Sequence, residues 1–143
     1  MLNTIYTWVG AGAVLFICGA ALWKGDRLEQ WGGGLCFLAW LATILIQDDV
    51  SAATEQLLLL SVDTAVLAGL GFLAWKAERS WPVWAAACQA ITVAVHLAKF
   101  VDFRIPQFAY ISALVLASYG VLVALAIGTW VAWREREALK PLA

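Results

Sequence analysis

Residues 57–71 read LLLLSVDTAVLAGLG. The run is continuous rather than alternating, which argues against a half-buried strand. It extends from about Glu55 to Trp75, close to the roughly 20 apolar residues a helix needs to cross about 30 Å of hydrocarbon. One residue is out of place. Asp63 stands eight positions after Glu55, about 12 Å from that end at 1.5 Å per residue. An ionised carboxylate at that depth is costly unless paired, protonated or solvated, so it should face a bundle interior and have a partner.

The rest of the chain supplies the bundle. Of its 143 residues 64% are apolar and 13% charged, with nine Trp and a mean hydropathy of +0.84. Soluble domains are about half apolar and a quarter charged, so a soluble globular domain is excluded. A net charge of −1 with no basic tract excludes nucleic acid as a partner. Five stretches can span a bilayer: Thr4–Trp23, Trp31–Gln47, Glu55–Trp75, Pro82–Val101 and Gln107–Trp133. The second is short, and the fifth is long enough to tilt or project. Continuous apolar runs and the need to satisfy backbone groups internally predict helices, not a barrel. Pro82 and Pro106 mark helix starts, and short loops make successive helices antiparallel neighbours. The predicted fold is therefore all-α, a single five-helix, up-and-down transmembrane domain without an internal repeat.

Lys24, Arg27, Lys76, Arg79, Arg134, Arg136 and Lys140 fall on one side, and Lys99 and Arg104 on the other. Seven against two predicts an outside N-terminus and a cytoplasmic C-terminus. No Lys or Arg precedes Lys24, so the first apolar stretch is expected to be a retained span rather than a secretory signal. Ile17 before Cys18 argues against lipidation. Trp23, Trp31, Trp75, Trp81, Trp84, Trp130 and Trp133 cluster near the basic ends of the spans and read as interfacial anchors. Cys18, Cys36 and Cys88 have no CxxC pairing and read as small buried hydrophobes, although all three lie at similar depth. Small residues recur every four positions at Ser61, Ala65 and Gly69, at Ala86, Ala90, Ala94 and Ala98, and at Gly120, Ala124 and Gly128. These ladders are expected to be intramolecular helix seams.

A partner for Asp63 comes from the fourth span. Gln89, Thr92, His96 and Lys99 follow a 3-4-3 spacing on one helical stripe, away from the alanines. Folding the two spans as a hairpin sets Asp63 level with about Val93, bracketed by Thr92 and His96. A carboxylate beside an imidazole forms an ion pair or shares a proton, so the predicted ligand or proton site is Asp63, Gln89, Thr92, His96 and Lys99. The alternative is that these groups only pin helix register. On the same face Gln47, Asp48, Asp49 and Glu55 flank the second hairpin, Asp102 follows the fourth span and Tyr110 opens the fifth; the acidic mouth, with Asp48, Asp49, Glu55 and Asp102, supplies hard oxygen ligands for a divalent cation, although Asp48-Asp49-x-Ser51 is not a calcium loop.

No cofactor is implied. His96 is the single histidine, so a bis-histidine haem would need a dimer, and GxSxG, HExxH and P-loop sequences are absent. Gly32-Gly33-Gly34 reads as a closely packed or flexible helix start. The span number and Trp content are shared with the tryptophan-rich sensory (translocator) proteins, but KGDRLEQW stands where their first loop carries paired Trp and Pro, and that family is set aside. The stretch from Asp63 through Trp81-Pro82-x-Trp84, Gln89 and His96 resembles a group of small uncharacterised alphaproteobacterial inner-membrane proteins. The resemblance covers the middle third to half of the chain and points to Asp63, Pro82, Gln89 and His96. It implies a bacterial inner membrane and no particular activity. The expected function is a non-enzymatic accessory or scaffold subunit, contacting lipids and a membrane-protein partner or a second copy through the charged Arg134–Glu137 tail. The alternatives are a proton-coupled carrier or channel using Asp63 and His96, and a sensor for a lipid-like or metal ligand at the outer face.

Overall fold

The computed structural model describes the backbone of residues 2–47 and 52–140, with the side chains of residues 8–46 and 54–140. The described residues form helices and no strand: α1 (Leu2–Lys24), α2 (Arg27–Gln47), α3 (Ala52–Lys76), α4 (Trp81–Val101) and α5 (Gln107–Leu139). The helices α2 to α5 are long and apolar enough to cross a membrane, and α1 contributes a further apolar segment at Trp8–Lys24. Each helix packs against its sequence neighbours, α5 closes the ring on α1, and α2 also touches α5 across the interior. This is the up-and-down bundle that short connections impose.

The surface is inverted relative to a soluble protein. Phe16, Leu45, Trp75 and Leu116 are between 73% and 90% exposed, whereas the core is narrow and built largely of small or branched residues, among them Ala21, Val66, Leu70, Ala85 and Leu125. Such a belt needs an apolar solvent. Polar side chains on the belt bond their own helix: Ser61 and Thr64 donate to Leu57 O and Leu60 O at 2.8 and 2.7 Å. They expose no unpaired hydroxyl to lipid.

Helix boundaries run past the predicted spans where polar residues continue the helix into the interface. α2 starts at Arg27 instead of Trp31, because Glu29 folds back to accept the Asp26 backbone N–H at 3.0 Å, one half of a capping box. α5 runs to Leu139, 33 residues or about 50 Å, so its charged end projects beyond any hydrocarbon layer.

The small-residue ladders divide. On α5, Ala124 and Gly128 are buried, and a Cβ at Gly120 would stand 2.6 Å from Cys88 Sγ, so this ladder is a seam. On α4, Ala90, Ala94 and Ala98 are exposed, contrary to expectation. The buried stripe there is Trp81, Ala85, Gln89, Thr92 and His96, since the polar residues take the interior and the opposite face turns outward. On α3, Ser61 and Ala65 are exposed, and only Gly69 makes close contact, with Leu35 of α2. Cys18 lies in the core beside α2 and Cys88 against α5, and all three thiols are free.

Candidate functional site

At one end of the bundle α3, α4 and α5 meet around His96, whose side chain is 2% exposed. Its Nε2 lies 2.9 Å from Asp63 Oδ2, and its Nδ1 lies 2.8 Å from the Tyr110 hydroxyl. The rings of His96 and Tyr110 meet edge to face at 5.7 Å. Gln89 Nε2 donates to Asp63 Oδ1 at 2.9 Å and to the Asp63 carbonyl at 3.2 Å. Gln89 and His96 thus straddle the carboxylate, close to the depth that hairpin geometry predicts. One turn further on, Lys99 Nζ donates to Ile105 O at 2.8 Å and stands 5.7 Å from the centre of the Tyr110 ring.

The predicted residues separate into three groups. Asp63, Gln89 and His96 are brought together. Thr92 is buried beside them but bonds Cys88 O of its own helix at 3.5 Å, so it fills space without binding the carboxylate. Lys99, in the last turn of α4, bonds the connection to α5 at Ile105 O and reaches the cluster through the Tyr110 ring. Tyr110, read in the sequence only as part of the outer mouth, joins the site by bonding His96. Its place at the start of α5, opposite the end of α4, is the available sequence signal, because a five-residue connection forces those two ends together.

The acidic mouth is less concentrated. Asp48 and Asp49 lie outside the described residues. Asp102 is exposed and its carboxylate accepts the Arg104 backbone N–H at 2.9 Å, closing the turn into α5, while Glu55 sits in the first turn of α3. Among the described residues no group of three or more His, Cys, Asp or Glu side chains is arranged to hold a metal ion.

A second polar cluster occupies the opposite end. Glu29 is completely buried and accepts the Trp81 indole N–H at 2.9 Å. Arg79 Nη2 bridges Asp26 Oδ2 at 3.2 Å and Glu135 Oε2 at 2.7 Å, its Nε stands 3.9 Å from Glu29 Oε1, and Arg136 Nε pairs with Asp26 Oδ1 at 3.3 Å. Lys24 covers the Trp133 ring at 4.8 Å. The two connections at this end are therefore fastened to the projecting part of α5.

Trp81 is not an interfacial anchor. It is 4% exposed and inserted between two glycines: a Cβ on Gly32 or Gly128 would lie 2.5 or 2.4 Å from its ring. The other basic-end indoles at Trp23, Trp31, Trp75, Trp84 and Trp130 are exposed, as anchors are. Gly32 and Gly33 are buried within the first turns of α2, which makes them close-packing positions. Sequence reading missed Glu29; the visible signal was the Asp26-x-x-Glu29 capping spacing.

Two surface recesses lie at this end. One is lined by Arg27, Gln30 and Trp31, and the other includes Arg79, Ser80, Trp81, Gly128 and Glu135. Around His96 the polar side chains bond one another. Between the two clusters, by position along the helices, stand Leu70, Ala85 and Leu125, all fully buried. Comparison with protein-family models, curated proteins and solved structures finds no match for the chain.

Proposed function

We propose that the chain is a non-enzymatic accessory or scaffold subunit of a bacterial inner-membrane assembly, with its N-terminus outside and its C-terminus in the cytoplasm. The observation that carries this reading is that polar side chains tie the helices together at both ends of the bundle. Asp63, Gln89, His96 and Tyr110 clamp three helices at one end, and Asp26, Glu29, Arg79 and Trp81 fasten the other. Between them stand Leu70, Ala85 and Leu125, all fully buried. What the bundle presents to a partner is its apolar belt and the charged end of α5. The test is purification from native membranes in mild detergent. A stoichiometric membrane-protein partner, or a defined homo-oligomer, is expected; a monodisperse single chain without a partner contradicts the proposal.

A proton-coupled carrier is the second reading, supported by one observation: the His96 imidazole bonds an ionisable oxygen group on each side. It requires Asp63→Asn to abolish proton-coupled solute flux in liposomes with the fold intact. Unchanged flux removes it, and the buried Leu70–Ala85–Leu125 layer weighs against it.

A further inference from the structure

His96 sits in a chain of contacts that runs from the middle of α3 to an exposed connection: Asp63, His96, Tyr110, Lys99 and the Ile105 carbonyl. We propose that His96 is a reversible proton-binding site whose occupancy is transmitted through Tyr110 and Lys99 to the connection at residues 102–106.

The hydrogen-bond geometry allows proton uptake without losing a bond. With neutral His96, Nε2–H donates to Asp63 Oδ2, and Nδ1 accepts the Tyr110 O–H. One added proton goes onto Nδ1, which then donates to the Tyr110 oxygen. The tyrosine keeps its own hydrogen, which rotates away. Both heavy-atom contacts, at 2.9 and 2.8 Å, suit either state, because an imidazolium donates from both nitrogens and a phenol oxygen both donates and accepts.

The charged and titratable groups around the site are Asp63 on α3, Lys99 on α4 and the phenol of Tyr110 on α5, with Glu55 acting on Tyr110 from the first turn of α3 and Asp102 and Arg104 in the connection beyond.

Transmission follows from Tyr110. When it accepts a bond from imidazolium, its oxygen is polarised and the ring face loses electron density. At the same time a second positive charge arrives next to the ring that Lys99 covers. Both effects weaken the cation–π contact and repel the ammonium that holds Ile105 O. The connection at residues 102–106 is therefore looser in the protonated state. The proton returns by the way it came, because the apolar layer beneath gives it no onward acceptor. This distinguishes the proposal from a carrier, and it stands whether or not the chain has a partner.

His96 is the single histidine, so histidine-selective ¹⁵N labelling of the full chain in lipid nanodiscs reports one imidazole. A titration from about pH 9 to about pH 5 should convert an Nε2–H neutral ring into a doubly protonated one. Over the same step, backbone exchange at residues 103–105, corrected for its intrinsic pH dependence, should rise several-fold. Tyr110→Phe retains the ring and removes the hydroxyl. In it the imidazole should still titrate while the exchange step at residues 103–105 becomes clearly smaller, because only the direct charge repulsion remains. An imidazole held in one protonation state across the range overturns the proposal, and so does an exchange step of equal size in Tyr110→Phe.

Discussion

The Nε2 of His96 on α4 and the Oδ2 of Asp63 on α3 stand 2.9 Å apart, and the same imidazole reaches α5 through Tyr110 at 2.8 Å. One almost wholly buried side chain thus joins three helices. Removing one partner of a buried ion pair costs about 3–5 kcal/mol, because the other charge is left uncompensated. The Asp63 side chain is 24% exposed, which discounts that figure. His96→Ala is expected to destabilise the bundle by about 2–3 kcal/mol, and Tyr110→Phe, which removes one interhelical hydrogen bond, by about 1 kcal/mol. Reversible unfolding in mixed micelles measures both, and equal losses would show that the Asp63 contact adds nothing beyond the bond to Tyr110.

The glycines around Trp81 make a sharper steric prediction. A Cβ on Gly128 would lie 2.4 Å from Trp81 Cδ1, whereas one on Gly34 would meet nothing within 4 Å. Gly128→Ala should cost about 1–3 kcal/mol through overpacking. Gly34→Ala should be neutral or slightly stabilising, since alanine loses less backbone entropy in a helix. The two thermal midpoints in the same detergent decide it.

Glu29 has no access to solvent and depends on the Trp81 indole, the Asp26 amide and the nearby Arg79. Trp81→Phe removes the indole donor while preserving most of the ring. It should destabilise by at least about 1–3 kcal/mol, the cost of leaving a buried acceptor short of a partner. Combining it with Glu29→Leu, which removes the stranded carboxylate, should recover part of that loss. Strictly additive losses in the double variant would show that the two side chains do not depend on each other.

The outward alanines of α4 test what surrounds the bundle. Ala94 is exposed and Ala85 fully buried, so Ala94→Leu should leave stability within about 0.5 kcal/mol while Ala85→Leu destabilises by about 1–3 kcal/mol. If the Ala90–Ala94–Ala98 face is the contact between two copies, Ala94→Leu also shifts the native mass to that of a single chain, which native mass spectrometry in micelles reads directly.

Much of this fold is legible in the sequence because hydrocarbon sets the length of a span and short connections set its neighbours. Asp63, Gln89 and His96 are legible for the same reason: a hairpin fixes relative depth, and polar residues at a common depth seek one another. The direction of the alanine ladder was not legible. Small residues permit close packing without requiring it, and on α4 the need to bury Gln89, Thr92 and His96 took the inner face. Trp81 and Glu29 were hidden by their place in the chain. A tryptophan at a span end and a glutamate in a short turn look interfacial, and only the paired absence of side chains at Gly32 and Gly128, on two other helices, opens a slot that takes the ring inside. Tyr110 required knowing how α5 turns at its start, a rotation about the helix axis that hydropathy does not fix.

The most direct test of the clamp is a double-mutant cycle on Asp63→Asn and His96→Gln, with unfolding free energies measured for the four proteins in one lipid-like environment. A direct contact predicts that the double variant is more stable than the sum of the single losses implies, by about 1 kcal/mol or more. Losses that add to within about 0.3–0.5 kcal/mol would mean that the carboxylate and the imidazole do not hold each other, and the account of this site would fail.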